Sequence, residues 1–148
     1  MLKAQVEKFN SMLQGIDRIY EDYAKQYGLT FMSLRVLDVL YSSEKPCTQK
    51  DVCDISRYNK QVVNAIIKGF QKKGYITLCE DSEDRRNKYL GFTEAGEDFA
   101  RGVIEPLRQA EKNAMLTLSY VERDSFIELL EKCYNGYVSA SADIINNN

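Results

Sequence analysis

Two spacings of apolar residues alternate along the chain, and the changes of period lay out its elements. From Leu2 to Tyr27 the apolar positions are Leu2, Val6, Phe9, Leu13, Ile16, Tyr20, Tyr23 and Tyr27, in unbroken steps of four and three. A seam of nearly four heptads predicts a long helix that packs against other long helices, including those of a second copy. Thr30 is a good N-cap for a second helix, with Phe31, Leu34, Leu37, Val39 and Leu40 facing inward. Pro46 cannot continue that helix. Thr48, with Asp51 three places on, opens a short third helix through a capping box in which Asp replaces the usual Glu.

From Asn59 to Lys73, Val62, Val63, Ile66, Ile67 and Phe70 share one helical face, while Lys60, Gln61, Asn64, Lys68 and Lys72 share the other. Gly74 ends this helix as a left-handed C-cap glycine does. Tyr75 to Cys79 reads as a strand, Asp81 to Asn87 as a charged turn and Lys88 to Phe92 as a second strand. Thr93 caps a long helix running to about Thr117, with Phe99, Val103, Leu107, Ala110 and Ala114 inward and a kink or bend expected at Pro106. Leu118-Ser119 interrupts. The last helix starts at Tyr120 or Val121, ends at Ile145, and carries Val121, Phe126, Leu129, Leu130, Cys133, Tyr137 and Val138 as its apolar set.

A short helix, a second helix, a hairpin and a helix make the outline of a winged helix-turn-helix. The expected fold is mainly α with a small β-hairpin wing (α+β), one domain over 1–148. Residues 30–96 form its winged part. The helices of 1–28 and 97–148 would join two copies through Leu2, Val6, Phe9, Leu13, Ile16, Leu130 and Tyr137.

Composition narrows the function. The chain has 148 residues, 44% hydrophobic and 28% charged, which suits a domain with a real core. No apolar run approaches the roughly 20 residues of a membrane span. The opening Met1-Leu2-Lys3-Ala4-Gln5 lacks a signal peptide's apolar core, so a cytoplasmic address is expected. There is no histidine, and the four cysteines lack C-x-x-C spacing. A zinc shell of carboxylates and isolated thiols would be poor, so no metal is expected. Without histidine, a Gly-rich phosphate loop or a nucleophile elbow, catalysis is not expected either. The net charge of −2 hides a polarity: residues 45–93 carry ten Lys and Arg against six Asp and Glu, a net +4 that leaves −6 elsewhere. A basic centre with acidic flanks suits a DNA reader with a separate association surface.

The run Asp84-Arg85-Arg86-Asn87-Lys88, followed by Phe92-Thr93-Glu94-Ala95-Gly96, comes after a helix ending Lys72-Lys73-Gly74-Tyr75-Ile76. This pattern resembles the MarR family of bacterial transcription regulators. The resemblance extends over the whole chain and implies a homodimer that binds a pseudo-palindromic operator in double-stranded DNA, most often as a repressor.

Physical reasoning and the resemblance converge on the Asn59 helix. Its exposed N-terminal side chains would reach base edges in the major groove. Gln61 and Asn64 can each make a two-pronged amide contact to adenine, and Lys60 can reach guanine or phosphate. Lys68, further along, suits backbone. Ser56 and Tyr58 could bond phosphate in the preceding turn, and Asn59 is open between capping and contact. Ala65 and Gly69 depart from the family, which often carries arginine there. In the wing, the resemblance implies that Asp84 braces Arg86 and that Arg86 enters the minor groove. A narrow A/T-rich groove has a potential that attracts such a guanidinium. Arg85 and Lys88 would meet phosphates or support the hairpin.

The family often releases DNA when a small phenolic or other amphipathic effector binds. Tyr20, Tyr23 and Tyr27 could line a pocket for one, although an aromatic stripe at helical spacing is more often core. Thiol sensing occurs in part of the family. Cys47 is the candidate here, because Cys53 falls on the apolar side of its helix and reactivity needs an exposed thiolate. Two alternatives stand beside the DNA-binding regulator: an interaction module reusing the winged helix as a scaffold, and a thiol-based redox regulator.

Overall fold

Local capping chemistry decides where the helices start and stop. In the computed structural model, which describes residues 1–80 and 88–145, the elements are α1 (Leu2–Gln26), α2 (Phe31–Ser42), β1 (Cys47–Thr48), α3 (Gln49–Ser56) and α4 (Lys60–Lys72), followed by β2 (Ile76–Glu80), β3 (Lys88–Phe92), α5 (Glu94–Met115) and α6 (Tyr120–Ile145). Thr30, Thr48 and Asn59 lie in extended conformation before α2, α3 and α4, and their side chains accept from the amides of Ser33, Asp51 and Val62. Asp51 completes the capping box by accepting from the Thr48 amide at 2.8 Å and its hydroxyl at 2.7 Å. Those two bonds hold its carboxyl below the usual carboxylate range.

At the other end of α4, Gly74 has φ +73°. Its amide donates to Gln71 O and the Tyr75 amide to Phe70 O, each at 2.9 Å, which is the Schellman pattern. A reciprocal box also starts α6: Ser119 N–H donates to Glu122 Oε2 at 2.8 Å, and Glu122 N–H to Ser119 Oγ at 3.4 Å. The S-x-x-E signature of that box is present in the sequence, and Ser119 is a cap as well as an interruption.

By its contacts the chain divides into two units, Met1–Glu105 and Pro106–Asn148. In the first unit Leu34, Val36, Leu37, Val52, Val63, Val103 and Ile104 are fully buried, with Ile67, Phe70, Ile76 and Leu90 around them. The three-stranded sheet has the order β1-β3-β2 and is antiparallel throughout, with Ile76 opposite Phe92, Glu80 opposite Lys88, and Cys47 opposite Leu90. Two-residue β1 has no signal in the hydrophobic pattern. Of α1, only the C-terminal turns are seated here. Ala24 is buried and Tyr20 meets Phe31 edge-on at 6.1 Å, whereas Leu2, Val6, Leu13 and Ile16 are exposed.

In the second unit no described residue of α6 is buried. Phe126, Leu130, Tyr134 and Tyr137 fall at i, i+4, i+8 and i+11, an exposed apolar stripe flanked by Ile127, Leu129 and Val138. α5 passes through Pro106 as one helix. Among the described residues no helix is long and apolar enough to cross a membrane.

Gly69 sits on the outer side of α4, where an added Cβ would meet nothing within 4 Å. Gly69→Ala is therefore expected to stabilise the fold by roughly 0.5–1 kcal/mol by removing unfolded-chain entropy. That should raise the melting temperature by about 1–4 °C in a thermal scan.

Candidate nucleic-acid interface

The helix-turn-helix pair is α3 and α4, joined by Arg57, Tyr58 and Asn59. Val52 of α3 and Val63, Ile67 and Phe70 of α4 are buried, which fixes the roll of α4 about its own axis. The opposite side then faces out. Lys60, Gln61 and Lys68 are exposed and Asn64 is half-buried. None of the four has an intramolecular polar partner among the described residues. At helical spacing Lys60, Asn64 and Lys68 form one row with Gln61 beside it. Four donor-bearing side chains thus stand free at the start and along the outer face of one helix.

The turn before α4 is more constrained than its sequence suggests. Asn59 Oδ1 accepts from Val62 N–H at 2.9 Å, so of its two open roles the cap is the one seen in the geometry. Ser56 and Tyr58 are half-buried, and the Tyr58 amide donates to Ser56 Oγ at 3.3 Å. Arg57 has φ +63°, the one positive φ outside glycine among the described residues, with its amide donating to Cys53 O at 2.9 Å. Nothing in the sequence distinguishes a left-handed arginine from any other. A side chain there is strained. Arg57→Gly is expected to raise stability by up to about 1 kcal/mol, measured by urea unfolding, because relief of strain exceeds glycine's greater unfolded entropy.

The wing strands are tied to α4 through one junction. Thr93 Oγ1 donates to Gly74 O at 2.6 Å and accepts from Gly96 N–H at 3.0 Å, while Thr93 N–H donates to Tyr75 O at 3.0 Å. Gly96 is buried, and a Cβ there would lie 2.6 Å from the Tyr75 carbonyl carbon. Only glycine lets the first turn of α5 come so close. Tyr75 then stacks on Phe99 at 4.5 Å and 14°. This is a physical reason for the spacing of Thr93 and Gly96: the pair clamps the segment that leaves α4 and enters β2. Lys88 is exposed at the start of β3. Asp84, Arg85 and Arg86 lie outside the described residues.

The other candidates are less accessible than expected. Tyr23 and Tyr27 are half-buried with ring centroids 5.2 Å apart, and Tyr23 OH donates to Val103 O at 2.7 Å. Burial and the neighbouring Tyr27 hold the Tyr23 hydroxyl far above its ordinary pKa. Cys47 is a correction: at 7% exposure it is buried, because β1 pairs it with Leu90, and its thiol donates to Ser43 Oγ at 2.8 Å. Cys53, expected to be buried, is half-buried, while Cys79 and Cys133 are exposed.

Comparison with known proteins fits this geometry. The MarR family's sequence profile matches residues 27–87, the span from the end of α1 through the helix-turn-helix into the hairpin. The chain is 27% identical over 112 residues to the HTH-type transcriptional regulator SarZ of Staphylococcus epidermidis, covering 76% of this chain and 74% of that protein. Its fold is similar to that of a MarR family regulator from Neisseria meningitidis, with TM-score 0.74, 21% identity, and 94% and 97% of the two chains covered. It is also similar to Staphylococcus aureus MepR in its DNA complex, with TM-score 0.71, 18% identity, and 88% and 96% covered. With its winged fold, its D-R-R-x-K and T-x-x-G motifs and these relatives, the chain is similar over residues 27–87 to the MarR family of transcription regulators.

Proposed function

We propose that the chain is a homodimeric, sequence-specific DNA-binding regulator, acting as a repressor on a pseudo-palindromic operator. The observation that carries this reading is the outer face of α4, where Lys60, Gln61, Asn64 and Lys68 stand without intramolecular partners among the described residues, on a helix whose other face is locked into the core. A helix of this kind fits the major groove of B-form DNA, where amides read adenine and lysines meet guanine or phosphate. MepR, a fold neighbour, has been seen bound to DNA, which supports the same docking here.

In this reading residues 30–96 form the DNA-binding part, and 1–28 with 97–148 the dimer helices. By the resemblance Arg86, with Asp84, would serve the minor groove, and Arg85 and Lys88 would serve phosphates. The uncovered apolar residues support association. Leu2, Val6, Leu13 and Ile16 on α1, and Leu130 and Tyr137 on α6, are exposed in the single chain. A second copy would cover them and set the two α4 helices about one helical turn apart, roughly 10 base pairs. A small amphipathic or phenolic effector would act by favouring a dimer with a different spacing. A cytoplasmic location accords with this role.

The test is fluorescence-anisotropy titration of the DNA just upstream of the chain's gene against random duplex at several salt concentrations. Preference for the upstream DNA by about 10³-fold or more, weakening steeply with salt, supports a specific regulator. Absence of binding to either duplex at low salt would overturn the reading in favour of a protein-interaction module. Arg86→Ala should cut operator affinity strongly while circular dichroism and sedimentation show fold and dimer unchanged. Unchanged affinity would remove Arg86 from the interface.

A further inference from the structure

The last buried residue of α5 is Ile104, and no residue of α5 beyond it is buried in the single chain. Two positions on stands Pro106, which has no amide to donate to Gly102 O, so the helix lacks one rung where it leaves the core. Gly102 is itself exposed, and glycine favours helix least after proline. The division of the chain into units falls at the same step, between Glu105 and Pro106. A helix that loses a bond beside a glycine bends there more readily than along the rest of its length.

Two tyrosines from other helices fasten the three residues between Gly102 and Pro106. Tyr23 OH of α1 donates to Val103 O at 2.7 Å, and Tyr41 OH of α2 donates to Glu105 Oε1 at 3.0 Å. The first is the stronger pin, because it is short, half-buried and made to the backbone of a fully buried residue. The second is exposed and so contributes less. Phenylalanine at either position would keep the ring and lose only the bond. Tyr23 also ties α5, where it leaves the core, to the helix that carries Leu2, Val6, Leu13 and Ile16 into solvent.

We infer that Tyr23 and Tyr41 are positioning residues: they pin α5 at this weak point and thereby fix the distance between half-sites that the dimer accepts. The inference rests on the dimeric DNA-binding reading. In that reading the exposed residues of α1 and α6 meet a second copy, and α1 and α5 are the helices through which that contact reaches α4. A bend in α5 at Pro106 moves one α4 relative to its copy. With both pins in place one half-site spacing is favoured; without them several are accommodated at similar cost.

The test compares the intact chain with the double variant Tyr23→Phe/Tyr41→Phe and with that pair carrying Pro106→Ala as well. Each is titrated with the preferred upstream duplex and with duplexes in which one central base pair is added or removed. That change turns the half-sites by roughly 35° and shifts them by about 3.4 Å. Hydrogen exchange of the amides of residues 107–111, which bond back to the carbonyls of 103–107, is followed without DNA. The intact chain should lose on the order of tenfold in affinity at either altered spacing. In the double tyrosine variant that loss should shrink by about threefold or more, and exchange of those amides should quicken by a similar factor. Affinity for random duplex should stay the same. Pro106→Ala restores the missing amide on an exposed position, so it should bring back both the spacing penalty and the slow exchange. A merely structural role would lower the melting temperature and leave the spacing profile as it was. An unchanged profile in the double variant, or an intact chain indifferent to spacing, overturns the inference while leaving DNA binding intact. Binding to no duplex at all would sink the DNA-binding reading, and exchange then decides for the pins alone: faster exchange upholds them, and unchanged exchange overturns them.

Discussion

Gly96→Ala should unfold the junction between the wing and the rest of its unit, lowering stability by about 3 kcal/mol. The atoms an alanine methyl would overlap belong to the Tyr75 backbone, so no side-chain rotation can relieve the contact. α5 must back away instead. That movement stretches the Thr93 hydroxyl bond to Gly74 O and the amide bond to Tyr75 O, and it parts the Tyr75–Phe99 stack. For a chain of this length the loss corresponds to a fall in melting temperature of about 6–12 °C. Thr93→Val is the companion variant. It removes the hydroxyl without adding overlap, and its cost is about 1 kcal/mol. If the two variants melt together, close approach of α5 to Tyr75 is not what holds this junction.

The second large effect concerns recognition. Gln61→Ala combined with Asn64→Ala should abolish the preference for the operator while leaving the fold and the affinity for random duplex nearly unchanged. Both side chains lie on the outer face of α4, away from Val63, Ile67 and Phe70, so truncation removes no core contact. In the proposed complex each two-pronged amide contact would contribute about 1–3 kcal/mol of discrimination, and a dimer would make each contact twice. The ratio of operator to random affinity should therefore fall by on the order of 10³-fold. Non-specific binding, carried by lysines at phosphates, should keep its salt dependence. A double variant that still prefers the operator by the original ratio would move base reading away from these residues, to Lys60 or the wing.

Those two predictions differ in how far the sequence alone led to them. The apolar face of α4 was legible because its five residues recur at helical period, and fixing that face left Lys60, Gln61, Asn64 and Lys68 on the other. Caps were legible for the same local reason: Thr30, Thr48 with Asp51, and Gly74 act on atoms within a few residues and as expected, while Asn59, open between capping and contact, caps α4. Long-range features were not. Nothing near Cys47 in sequence announces that it pairs with Leu90, more than forty residues on, so its burial was missed. Gly96 was recognised only as part of a family motif, since its reason lies in a backbone twenty-one positions earlier. The left-handed backbone of Arg57 is also a product of tertiary packing that no periodicity encodes.

The bare apolar stripe of α6 and the bare N-terminal half of α1 have a consequence for abundance. Apolar area left in water contributes nothing until another surface removes it, so a lone chain forgoes that share of its stability. Where a second copy supplies the cover, mass action makes the free energy of the folded pair depend on how much chain is present. Dilution then loosens the long helices and the operator grip together. Such a regulator would be a gauge of its own concentration before it sensed anything else.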